Sequence, residues 1–342
     1  MINKLSLKDV KSRNIWFRYL YIFCTVLQGG FEMKNEEIPS KYKVGSALAK
    51  EEDTTNLFLD LKELLKGIVL IANVLPVFTG FWLALYFTDA SFMEYWDVFL
   101  LTIAGSTFIM AGALVLNNWY EVDLDTKMLR TKRRPTVTGN ISLKIILAMG
   151  IGFTVIGLTL LLFTTLEATL YALIGWVTYV VLYTFWTKRR YTLNTIIGSV
   201  SGAVTPLIGW AAIDSTFHVV PLILFLILFI WQIPHTFAIA MKRHDEYKAA
   251  RVPMLPVVHG FDLTKRQTVV YIACLLPLPF YLTALGTTFV TIATILNVGW
   301  LALGISGFFM KDDIKWARIN FVFSLNYLTL LFLMMIVVTI PY

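Results

Sequence analysis

Apolar residues arrive in long runs separated by short polar connections. The runs fall at 67–87, 98–116, 145–163, 168–185, 195–213, 218–241, 268–285, 288–310 and 319–340. Each is close to the roughly 20 residues that an α-helix, rising about 1.5 Å per residue, needs to cross a bilayer. The pattern predicts an all-α polytopic membrane protein, with about nine transmembrane helices around a central cavity open toward the cytoplasmic side. Composition agrees: the 342-residue chain is 57% hydrophobic, with a mean hydropathy of +0.70, beyond the range of a soluble globular domain.

Charge gives an independent test of that count. All 29 Lys and Arg residues fall in the segment before the first run or in alternate connections. These connections hold Lys127–Lys144, Lys188–Arg190, Lys242–Arg266 and Lys311–Arg318, while the intervening ones and the C-terminus carry none. The positive-inside rule then places a bacterial cell-membrane protein with its N-terminus cytoplasmic and Tyr342 outside. The net charge of +7 belongs to one membrane face, where the lipid bilayer's anionic head groups and phosphates are the natural partners. No soluble basic domain exists to carry nucleic acid, which excludes that partner. Cys24 and Cys274 have no metal-type spacing and provide no disulfide framework.

Two domains follow. Residues 1–64 read as a polar, largely disordered cytoplasmic extension, and residues 65–342 as the nine-helix domain. Within the extension, Gln28-Gly29-Gly30 precedes Met33, and a purine run encoding those residues would resemble a bacterial ribosome-binding site. A translation start at Met33 is therefore expected, with residues 1–32 a mis-assigned start. The alternative is an interfacial anchor over 14–31.

The second run closes on Asn117-Asn118-Trp119-Tyr120-Glu121-Val122-Asp123-Leu124-Asp125, followed by Arg130-Thr131-Lys132-Arg133-Arg134. If the helix continues, Asn117, Glu121 and Asp125 recur every four residues and share a face. Carboxylates at a helix end are ordinarily just solvated. Here three oxygen-bearing side chains on one face, with five cations beside them (Lys127, Arg130, Lys132, Arg133 and Arg134), suit a hard metal ion and a polyphosphate. Asp123 points away from that face, toward basic loop residues or a second metal. Lys66, at the mouth of the first helix, serves either as a snorkelling anchor or as a phosphate contact.

The sixth run carries Trp231-Gln232-Ile233-Pro234-His235-Thr236-Phe237 and leads to Arg243-His244-Asp245-Glu246-Tyr247. Pro234 frees a carbonyl that only protein or a wet cavity can satisfy. A His beside that kink is expected to line the cavity. The two acidic clusters lie four helices apart, on the same membrane side, so both can face one pocket. Asn297, Asn326 and Tyr327 read as hydrogen-bond glue between helices.

These residues resemble a known family. Asn117-x3-Glu121-x2-Leu124-Asp125-x2-Met128-x-Arg130-Thr131-x2-Arg134 is similar to the signature of the UbiA-type intramembrane prenyltransferases. Pro234-His235 and Asp245-x-Tyr247-x2-Ala250-x2-Pro253-Met254-Leu255-Pro256 resemble the branch that farnesylates haem, and so do Lys188-Arg189 and Pro206-x2-Gly209-Trp210. The similarity runs from about Leu64 to the C-terminus. Glu121 stands where many members have Asp, Gly67-Ile68 follows Lys66 where Pro-Arg is common, and Ile233 precedes Pro234 where a second Pro is usual.

The resemblance implies transfer of a farnesyl group from farnesyl diphosphate to the 2-vinyl group of haem B. It implies Mg²⁺ held by Asn117, Glu121, Asp125 and Asp245, with Arg130, Arg134, Lys188, Arg243 and Lys66 on the diphosphate. His235, Tyr183 and Phe237 are then expected at the haem or acceptor site, with a haem A synthase downstream. Prenylation of a quinone precursor is the alternative in the same class, and transport of a phosphorylated lipid the alternative from another. A transporter would place its acidic residues near the bilayer midplane, whereas here they sit at a membrane edge.

Overall fold

The computed structural model describes residues 57–340. The expected Met33 start and most of the N-terminal extension lie outside the described residues. The elements are α1 (Leu57–Leu64), α2 (Gly67–Phe87), α3 (Trp96–Tyr120), α4 (Val122–Asp125), α5 (Pro135–Thr138), α6 (Leu143–Leu162) and α7 (Leu166–Val177). They continue with α8 (Asn194–Ala203), α9 (Thr205–Ala211), α10 (Val219–Lys242), α11 (His244–Ala249), α12 (Leu255–Leu275), α13 (Thr287–Ser306) and α14 (Asp313–Val337). Helix is the only local solution for such apolar runs in lipid, because it satisfies every backbone polar group within the segment. Polar residues mark the starts: Ser142, Thr165 and Asp312 accept hydrogen bonds from the backbone N–H three residues on, opening α6, α7 and α14.

Among the described residues eight helices are long and apolar enough to cross a membrane. The fifth expected crossing, 195–213, is two short helices in succession, α8 and α9, meeting at Val204. Pro206 opens α9, where its missing N–H costs least. The seventh also differs. It begins at Leu255 rather than 268, turns at Gly260 (φ 80°), and runs on past α12 into a 3₁₀ stretch, Leu278–Leu285.

Part of the expected disordered extension is ordered. In α1, Leu64 is fully buried in a cluster with Val115 and Ile146, and its carbonyl accepts a 2.6 Å bond from Asn118 Nδ2. One apolar anchor and one buried amide thus fix α1 to the end of α3. After α7 the chain widens into a π-helical stretch, Thr178–Thr187, with Thr187 Oγ1 donating five residues back to Leu182 O at 2.8 Å. Such wide turns recur at functional sites.

The largest core cluster joins α2, α9, α10, α12, α13 and α14 around Trp210, Trp231, Trp300 and Tyr327. Polar glue crosses it as expected of Asn297, whose Nδ2 donates to Leu275 O at 2.8 Å. Trp300 Nε1 donates to Asn320 Oδ1 at 2.7 Å. Asn326 donates to Val322 O on its own helix.

Among the described glycines, the tightest backbone approaches are between α2 and α9. A Cβ on Gly209 would collide with the Val77 carbonyl, and one on Gly80 with the Pro206 carbonyl. Gly209→Val is therefore expected to destabilise the protein by at least about 1–3 kcal/mol, measured as a lower thermal midpoint in detergent. An unchanged midpoint would contradict this packing.

Candidate active site

The site begins at the end of α3, which stops at Tyr120 as Glu121 leaves helical geometry (φ −97°, ψ 17°). Helix α4 resumes one residue later. The Glu121 N–H still donates to Asn117 O (3.0 Å), and the Asp125 N–H to Glu121 O (2.9 Å). The kink thus keeps the four-residue ladder, and Asn117, Glu121 and Asp125 stay together at 1, 3 and 2% exposure.

Each of the three oxygen donors faces a cation. Lys66 Nζ donates to Asn117 Oδ1 at 2.6 Å. Lys188 Nζ donates to both Glu121 carboxylate oxygens at 2.6 Å, and Arg134 Nη1 donates to Asp125 Oδ2 at 2.6 Å. The Asn117 amide is oriented by its Nδ2, which donates to Thr184 Oγ1 at 3.1 Å. Lys66 occupies a left-handed turn (φ 48°, ψ 52°) between α1 and α2, a conformation costing a non-glycine residue about 1–2 kcal/mol. Docking of α1 holds that turn and aims the ammonium at α3.

The two lysines of the cluster shift in opposite directions. Burial, then the neighbouring Arg134 guanidinium, push the Lys66 ammonium well below its ordinary range. Burial also penalises charged Lys188, but the Glu121 carboxylate, Tyr183 and Tyr247 together outweigh it and hold the group above its ordinary range. Outside this cluster Arg189 donates to both Asp123 oxygens at 2.7 and 2.8 Å, holding that carboxyl below the usual carboxylate range. Asp123 therefore contacts a basic loop residue, the first of its two expected roles.

Above the cluster lies a cavity of about 370 Å³. Lys66, Asn117, Arg130, Arg134 and Lys188 form its charged end. Glu121 and Asp125 line a polar recess of about 50 Å³ that shares Lys66, Arg130, Arg134, Lys188 and Tyr247 with it. Beyond the charged end the walls come from α2, α3, α7, α8, α9 and α10. Gly198 and Gly202 leave room on α8 for Tyr183 and Gln232 respectively.

Four expected site residues stand elsewhere. After Arg243 (φ −115°, ψ 23°) the chain turns into α11, which presents Tyr247 to the cavity and leaves the Asp245 side chain fully exposed beside His244 Nδ1. Arg243 pairs with Glu246 at 2.6 Å. His235 does not line the cavity. Its Nδ1 lies 2.8 Å from Ser324 Oγ on α14, and its ring stacks between Trp231 and Phe321. Phe237 is buried against Tyr271. Tyr183 does line the cavity, as expected, together with Tyr179, Gln232 and Thr236, which sequence reasoning did not assign to the site.

The donor set suits a hard divalent cation: two carboxylates and an amide oxygen, all buried and four residues apart along one backbone ladder. Among the described residues no three His, Cys, Asp or Glu converge. A metal here would take the Asn117 amide and a bound ligand's own oxygens to complete its shell.

The UbiA prenyltransferase family model matches residues 73–335, and the chain belongs to that family. A protoheme IX farnesyltransferase of Oceanobacillus iheyensis is 54% identical over 311 residues, covering 90% of this chain and 99% of the relative. One of Bacillus mycoides is 57% identical over 295 residues, covering 86% of this chain and 96% of the relative. Two solved structures share the fold. One, from work on digeranylgeranylglyceryl phosphate synthase, has a TM-score of 0.64 at 20% identity, covering 82% of this chain and 98% of that one. The other, a UbiA homologue from Archaeoglobus fulgidus bound to DMAPP and Mg²⁺, has a TM-score of 0.60 at 16% identity, covering 80% and 99%.

Removing Lys188 leaves the Glu121 carboxylate buried and unpaired. Lys188→Met is expected to cost about 3–5 kcal/mol of stability, and much less in a Glu121→Gln background. Unfolding of the four proteins of this cycle in detergent measures the difference. An equal cost in both backgrounds would contradict the pairing.

Proposed function

We propose that this chain transfers the farnesyl group of farnesyl diphosphate to the 2-vinyl group of haem B, giving haem O. One observation carries the donor half of this reading. A buried cluster of two carboxylates, an amide and their cations lies at the charged end of an otherwise largely apolar cavity. That arrangement suits an amphiphile with a charged head and a hydrocarbon tail. The acceptor half is supported by relatives above 50% identity that carry the farnesyltransferase name over nearly their whole length.

In this reading Asn117, Glu121 and Asp125 hold Mg²⁺, which when bound neutralises the diphosphate and makes it a better leaving group. Lys66, Arg130, Arg134 and Lys188 bind the diphosphate oxygens, Arg134 and Lys188 exchanging their carboxylates for phosphate. Ile109, Met110, Ala113 and Leu114 of α3, with Trp176 of α7, receive the farnesyl chain. Tyr183 presents an aromatic ring to the allylic carbon as positive charge develops there. The vinyl group attacks that carbon, and water completes the product as a hydroxyl. We read the site as facing the cytoplasm, with the C-terminus outside, and a haem A synthase as the consumer of the product.

Purified protein in detergent, supplied with haem B, farnesyl diphosphate and Mg²⁺, is expected to yield a product of haem O mass. Asp125→Ala should lower turnover by at least about a thousandfold, since a held cation supplies several kcal/mol, while the protein still purifies folded. Unchanged haem O output from that variant would refute the assignment.

A further inference from the structure

The cavity has two unlike walls. The α3 and α7 side is hydrocarbon, formed by Ile109, Met110, Ala113, Leu114 and Trp176. The α10 wall carries Gln232 and Thr236, one turn apart, with Ser199 of α8 hydrogen-bonded to Gln232. The remainder of α10 is almost wholly apolar, and its third polar side chain of this stretch, His235, turns away to Ser324.

Gln232 is anchored at one end only. Its Nε2 donates to Ser199 O at 3.3 Å, and its amide occupies the space left by the missing Cβ of Gly202. Among the described residues neither Gln232 Oε1 nor Thr236 Oγ1 has a hydrogen-bond partner. The Thr205 and Thr268 hydroxyls, by contrast, close onto carbonyls of the chain nearby. A polar atom inside a membrane-embedded cavity is costly unless a water or a ligand atom completes it. A hydrocarbon tail gives these atoms nothing, so the pair marks the place of an oxygen.

The proposed reaction requires one. We propose that Gln232 Oε1 and Thr236 Oγ1 hold the water that ends the reaction, an assignment resting on the haem farnesylation reading above. The C–O bond of farnesyl diphosphate breaks and the diphosphate leaves with the electron pair. The terminal vinyl carbon bonds to the farnesyl carbon, leaving the vinyl carbon next to the porphyrin ring positive. The oxygen of the held water bonds to that carbon, and its proton passes to the released diphosphate. Without a positioned water the same cation loses a proton from the adjacent carbon. The product is then an alkene lighter by one water, and no oxidant or reductant is needed on either branch. Gln232 and Thr236 are positioning residues: they act through the water.

The test is product mass, read by chromatography and mass spectrometry after incubation with haem B, farnesyl diphosphate and Mg²⁺. Gln232→Leu and Thr236→Val each remove one hydrogen bond to the water while suiting an apolar helix. Each is expected to raise the ratio of alkene to hydroxyl product by about tenfold, and Thr236→Ser to restore the original ratio. A role confined to packing would lower total product without moving that ratio. An unchanged ratio in both variants would overturn the inference. If the unsubstituted protein gave no farnesylated porphyrin, the underlying reading would fail and the inference with it.

Discussion

Charge buried at a membrane edge has to be matched, and that requirement organises this protein. Glu121 and Asp125 lie almost fully buried, where an unpaired carboxylate is costly enough to undo local structure. Lys188 and Arg134 meet them from outside α3, and Lys66 meets the neighbouring Asn117 amide. Lys188 and Arg134 match the two carboxylates one for one, with Lys66 and Arg130 beside them. The cluster is closed by its own ion pairs, yet suited to open onto a metal and an anion that satisfy both sets of partners at once.

The surrounding elements deliver those partners. The π-helical stretch after α7 sets Tyr183 over Gly198 and ends immediately before Lys188. Docking of α1 through Leu64 and Asn118 fixes the turn that carries Lys66. The tight α2–α9 contact at Gly80 and Gly209 brings α9 against α2 behind the cavity. Helices α12 to α14 contribute bulk and hydrogen-bond glue on the far side of α10 and do not line the cavity.

Much of this was legible in the chain. The apolar runs located the crossings because a lipid environment leaves few alternatives to helix, and the spacing of Asn117, Glu121 and Asp125 survived a kink that preserved the backbone ladder. Lys66, Arg130, Arg134, Lys188 and Tyr183 all reach the cavity. What failed depended on directions that sequence does not carry. The break after Arg243 decided that Tyr247, not Asp245, faces inward. His235 drew attention as the conspicuous polar residue beside Pro234, yet Ser324 on a distant helix supplied its partner. The usable signal was beside it, in Gln232 and Thr236 at four-residue spacing on an apolar helix. The fifth crossing reads as one helix because the residues around the turn at Val204 are themselves apolar or small.

The most direct test of the central claim is an experimental structure of the protein with Mg²⁺ and a non-reactive farnesyl diphosphate analogue. The account predicts metal density against the Asn117, Glu121 and Asp125 oxygens, with Lys188 and Arg134 released from their carboxylates onto phosphate. A diphosphate bound elsewhere, with the Glu121–Lys188 and Asp125–Arg134 pairs intact, would contradict it.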